Sequence, residues 1–108
     1  MLFRSVAIGV MLPHVVGFNS QTVNGLYGRL ANLAGLCEAG DPRAGERLAE
    51  HLRKLVAQAG LPGRLSDCKV ERELFPVMAR EATRQWTGMF NPRPLTESDF
   101  HTLYERAW

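Results

Sequence analysis

"VAIGVMLPHVVGFN", Val6 to Asn19, decides how the rest of this chain is read. Twelve of its fourteen positions are apolar, glycine or proline, and one histidine, His14, follows Pro13 directly. Such a run can be a secretory leader, a buried helix or the remnant of a metal site. With Arg4 ahead of it, it imitates a leader. Against that, Pro13 and His14 interrupt the apolar stretch, no small-x-small cleavage site follows Phe18, and an amphipathic pattern continues beyond it. Val6 to Phe18 is also shorter than the roughly 20 residues that cross a bilayer. The stretch reads as a core helix, kinked by Pro13 because proline removes a backbone donor and crowds the preceding turn.

Working outward, helical spacing persists along the chain and no segment alternates as a strand would. The first helix is expected to end near Asn19, with Asn19 or Ser20 capping a second. There Val23, Leu26, Tyr27, Leu30, Ala34 and Cys37 repeat at i, i+3, i+4 and form an apolar face, which Gly40 closes. In "GDPRAGERLAEHLRKLVAQAG" Asp41 is the expected N-cap, Pro42 the first helical residue and Gly60 the stop. Leu48, Leu52, Leu55, Val56 and Ala59 form its buried face. A fourth helix is expected from about Glu71 to Trp86, with Leu74, Phe75, Met78, Ala79 and Ala82 inward and Pro76 in its first turn. "TGMFNPRPL" reads as an ordered loop, since two prolines restrict themselves and their predecessors. Thr96 with Asp99 matches a capping box, opening a last helix with the stripe Phe100, Leu103, Tyr104 and Ala107. The expected fold is all-α: one domain over residues 1–108, a single bundle of five or six helices.

Composition narrows the function. The 108 residues carry 13 basic and 11 acidic side chains, a net charge of +2, with 45% hydrophobic content. That balance, with the basic residues scattered, argues against a nucleic-acid or anionic-membrane partner. Cys37 and Cys68 are far apart in sequence, without CxxC or Cys/His zinc spacing, and read as two reduced, buried thiols of a cytosolic protein in preference to one disulfide. There is no GxGxxG, no P-loop and no GxSxG elbow. His51 reads as a surface residue and His101 as exposed or partly packed; neither has a metal partner one turn away. His14 has apolar neighbours that would desolvate its ring and disfavour the imidazolium. The residues by themselves contain no complete active site.

Three stretches together carry a resemblance: "VAIGVMLPHVVGFN", "LAEHLRKLVAQAGLPGRLSD" and "NPRPLTESDFHTLYERAW". In order and spacing the chain resembles the C-terminal, dehydroquinate synthase-like helical domain of the iron-containing (group III) alcohol dehydrogenases. The most specific elements are Met11-Leu12-Pro13-His14-Val15 with Phe18-Asn19, and Asn91-Pro92-Arg93-Pro94-Leu95-Thr96 with Asp99 and Tyr104. The resemblance implies a partner α/β domain that binds NAD(P) through a glycine-rich loop. It also implies a divalent metal, usually iron and sometimes zinc, held by one aspartate and three histidines. In that family the metal polarises the alcohol or carbonyl oxygen while hydride moves to or from the nicotinamide. Three of those ligands would lie upstream of Met1. The fourth belongs to a His-Gly pair ten residues before the histidine of the LPHV motif, and that position holds Arg4 followed by Ser5. A guanidinium is a permanent cation without a lone pair to offer a metal.

The resulting expectation is a C-terminal piece of an iron-type alcohol dehydrogenase, inactive alone, with no metal, cofactor-binding or catalytic residue of its own. His14 is at most a residue lining the cleft. The alternative is a helical module that packs on a separately encoded upstream half, or self-associates, through an exposed apolar face. A third reading is a small secreted helical protein lacking the residues up to about Phe18.

Overall fold

The computed structural model describes the backbone from Leu2 onward and all side chains from Val6 except that of Trp86. Four α-helices carry the fold: α1 (Leu2–Leu33), α2 (Ala44–Gln58), α3 (Phe75–Thr83) and α4 (Glu97–Ala107). Short 3-10 turns at Ser66–Cys68, Arg72–Leu74 and Trp86–Phe90 connect the later ones. No strand occurs among the described residues. The all-α expectation holds, with fewer α-helices than the five or six expected.

The largest departure is in α1. It does not end near Asn19, nor does Pro13 interrupt it; the one non-helical residue inside it is Val23, at φ −124° and ψ 31°. The physical reason lies at its midpoint, where long-range bonds replace the expected cap. Asn19, only 3% exposed, donates its Nδ2 to Asn91 Oδ1 and accepts from Asn91 Nδ2, both at 2.8 Å. Arg93 donates to the Phe18 carbonyl at 3.0 Å and lies 3.8 Å over the Phe18 ring. Ser20 also caps nothing: its hydroxyl donates back to the Gly17 carbonyl at 2.7 Å, a local bond helices tolerate.

The other boundaries move for similar reasons. Gly35, at φ +75°, stops the helix ahead of Gly40. The Leu36 N–H returns to the Ala31 carbonyl and that of Gly35 to Asn32, the paired bonds of a Schellman stop. Ala34 and Cys37 therefore lie beyond the helix. Asp41 accepts the Arg43 N–H at 2.8 Å as expected of a cap, but it closes a turn and α2 begins at Ala44. Within α2, Leu48 is buried and Leu52 and Val56 are half-buried, whereas Leu55 and Ala59 are exposed. The segment from Glu71 splits: α3 proper starts at Phe75 with Pro76 in its first turn, Leu74 is exposed, and Trp86 belongs to the following turn. The capping box at Thr96 and Asp99 is present in both directions.

The most extensive packing is between α1 and α2, followed by α3 with α4. One core cluster unites Val10, Leu65, Phe75 and Ala107; a second unites Val16, Leu48 and Ala49. Because α1 continues past Asn19, Val6–Leu33 is apolar and long enough to cross a bilayer by length and composition, unlike the shorter run from Val6 to Phe18. Core helices meet the same criterion, and this one buries Val10, Pro13, Val16 and Phe18 in the fold.

Candidate functional site

The features singled out in sequence come together around the first half of α1. His14 lies one turn after Val10 and is half-buried. It opens onto a cleft of about 180 Å³ between α1, α2 and the loop after α2. Val10 and Pro13 from α1, Val56 from α2 and Leu61 from the loop form apolar walls, and Arg53 of α2 stands at the rim. No carboxylate lines this cleft. The His14 imidazole is held below its ordinary pKa of 6.5, first by desolvation and then by the positive charges of Arg53 and Arg106. Both effects disfavour the cation.

The remaining histidines are placed elsewhere. His51 is half-buried on α2. His101 of α4 meets the Phe75 ring edge-on, with centroids 6.2 Å apart and planes at 89°, an ordinary packing geometry for aromatic pairs. Among the described residues no three His, Cys, Asp or Glu side chains converge as metal ligands would. The side chains of Arg4 and Ser5, where the resemblance places the His-Gly pair, lie outside the described residues. Cys37 and Cys68 are both free thiols, half-buried rather than buried as expected.

The NPRP loop holds α1. Asn91 turns its second Nδ2 hydrogen toward the Arg93 carbonyl at 2.6 Å while exchanging bonds with Asn19. The C-terminus is fastened in the same manner. The Leu65 N–H bonds to the Ala107 carbonyl at 2.8 Å, the Ser66 hydroxyl to that of Trp108 at 2.6 Å, and the Arg72 guanidinium lies 5.0 Å over the Trp108 ring. Two residues of consequence went unnoticed in sequence. Asn24 caps α2 from the neighbouring helix, accepting the Gly45 N–H at 3.0 Å. Arg53 reads as one more basic residue on an amphipathic helix, and nothing local signals that it faces His14.

These elements, in this order, are matched in known proteins. Residues 4–108 match the family described as Fe-containing alcohol dehydrogenase family, C-terminal. The chain belongs to that family. The lactaldehyde reductase of Escherichia coli K12 is 31% identical over 97% of this chain, and the 1,3-propanediol dehydrogenase of Citrobacter freundii 29% over the same share. A long-chain-alcohol dehydrogenase of Geobacillus thermodenitrificans is 26% identical over 92%. A crystal structure of a 1,3-propanediol oxidoreductase superposes on 95% of this chain with a TM-score of 0.88 at 28% identity. The chain spans 28% of the length of the reductase and of that crystallised oxidoreductase.

Proposed function

We propose that these 108 residues furnish the helical part of a cytoplasmic, metal-dependent oxidoreductase that interconverts alcohols and aldehydes with NAD(P), and that alone they catalyse nothing. The observation that carries this reading is the family match over residues 4–108 combined with its coverage of little more than a quarter of the relatives. Iron or zinc and the nicotinamide would be held mainly by the portion of such an enzyme that this chain does not match. Arg4 at the one ligand position within reach supports the second half of the proposal, since guanidinium cannot ligate a metal. The relatives' names span lactaldehyde, a diol and long-chain alcohols, so no single substrate is assigned.

The purified chain, supplied with Fe²⁺ or Zn²⁺, NAD⁺ or NADP⁺ and a series of primary alcohols and diols, is expected to give no absorbance change at the reduced-nicotinamide band. It is also expected to retain no stoichiometric metal after desalting. Turnover, or one tightly held metal per chain, would overturn the reading.

One observation favours a second reading, a module that completes itself on a separately encoded upstream half. Ile8 and Leu12, one turn apart on α1, are 61% and 42% exposed. Large apolar side chains aligned in this way on a helix surface commonly meet a partner. Co-expression with a polypeptide carrying the rest of the family fold is expected to yield a complex that Ile8→Asp disrupts; self-association through the same face would appear as a dimer in sedimentation. A chain that stays monomeric and captures no such half excludes this reading.

A further inference from the structure

The His14 cleft has a chemistry that its family membership does not explain. Its apolar walls end in two nitrogenous groups, the His14 imidazole and the Arg53 guanidinium, and it is lined by no acid. Arg106 of α4 adds a second positive charge within electrostatic reach of His14. Arg53 meets Glu50 only at 3.4 Å, with both side chains about half exposed, so that pair is weak. The His14 ring is half-buried yet makes no side-chain hydrogen bond within the described residues.

We propose that this cleft binds a small aliphatic monocarboxylate. The carboxylate would accept from Arg53 and from the protonated ring nitrogen of His14, while a short alkyl tail lies against Val10, Pro13, Val56 and Leu61. Guanidinium matches carboxylate in geometry as well as charge. The cleft lies below the ~300–1,000 Å³ of drug-sized pockets. A cleft of that size suits a small ligand such as butyrate rather than a larger one. Arg53, Arg106 and His14 favour an anion, and the apolar walls favour one with a tail over an inorganic ion. This inference stands apart from the proposed dehydrogenase role, since it needs neither metal nor nicotinamide.

The test uses the 108-residue chain and nuclear magnetic resonance of its three histidine side chains, with butyrate as the probe. Butyrate is expected to move the His14 resonances saturably, leave those of His51 and His101 in place, and raise the His14 pKa, because a neighbouring anion favours the imidazolium. Arg53→Gln, a change at an exposed position, is expected to weaken binding about tenfold or more, the scale of a lost charged hydrogen bond. Leu61→Asn should weaken butyrate but not acetate. The proposal is overturned if butyrate leaves His14 unmoved at tens of millimolar. It is equally overturned if 1-butanol or inorganic phosphate binds as well as butyrate, or if Arg53→Gln binds it unchanged.

Discussion

The cluster around Phe75 and the seam between α1 and α2 are built on different principles. Around Phe75 the fold joins four segments through bulk: the ring is fully buried, tilted 33° against Tyr104 with centroids 5.7 Å apart, and closed in by Val10, Leu65 and Ala107. Along the seam between α1 and α2 it joins two helices through smallness. Gly28 of α1 faces Ala44 of α2, and Gly45 passes so close to Ser20 that a side-chain carbon there would stand 2.2 Å from Ser20 Cβ. The first cluster gains most from apolar area removed from water. The seam adds to the apolar contacts of Val16, Leu48 and Ala49 a close backbone approach and the polar groups, chiefly Asn24 and Asp41, that it brings into reach. The difference teaches that apolar content alone is an incomplete guide to where this chain is held together: beside the contacts of Val16 and Leu48, α2 is fixed by glycine, alanine and asparagine.

Substitutions separate the two modes. Phe75→Ala removes the keystone of the bulky cluster and is expected to cost about 3–5 kcal/mol of unfolding free energy in urea titration. A loss under 1 kcal/mol would mean that the cluster collapses onto the gap and does not depend on that ring. Gly45→Ala adds one carbon where no space exists and is expected to cost about 1–3 kcal/mol. Adding Ser20→Gly to Gly45→Ala should restore part of that loss, so that the pair is less destabilising than the sum of its members. Strict additivity would show the seam to be looser than its geometry.

At the border between the clusters, Asn91→Ala leaves the buried amide of Asn19 without its partner. About 1–3 kcal/mol should be lost, and amide exchange should accelerate around Phe18 and Asn19. Thr96→Ala removes a local cap remote from both clusters, and about 0.5–1 kcal/mol is expected. The smallest effect is that of pH through His14, which sits between Val10 and Val16. Its pKa in the folded chain lies below the 6.5 of the free side chain, so the unfolded chain binds the extra proton first. The contribution is complete above about pH 6.5 and is lost as pH falls from there through the folded value. His14→Gln should flatten the stability profile in that window alone; an unchanged profile would assign the acid sensitivity to other groups.

How much of this was legible in the sequence follows the same division. The capping box at Thr96 and Asp99 is a local arrangement of four residues, and it appears as written. The all-α class rests on periodicity, and it holds. Periodicity names a face without naming what covers it, however. Leu26 and Leu30 share an apolar stripe but are 63% and 54% exposed, because α2 packs on the neighbouring small residues instead. The end of the first helical stretch was misplaced because Asn19, an ordinary cap by type, is claimed by Asn91 from far along the chain. Of the candidate site, His14 was visible through its apolar surroundings, whereas Arg53 was not, since only the docking of α2 on α1 brings it to the cleft.

Asn24 has a consequence for the order in which the molecule assembles. A helix normally carries its own starting signal, but the second amide of α2 finds its acceptor on α1, across an intervening turn. Until α1 is in place, α2 has an incomplete beginning and little reason to persist as a short helix in water. The two helices then form and dissolve together, as one cooperative hairpin. Slow hydrogen exchange in α2 would accordingly report on whether α1 is docked, rather than on any helical tendency of α2 itself.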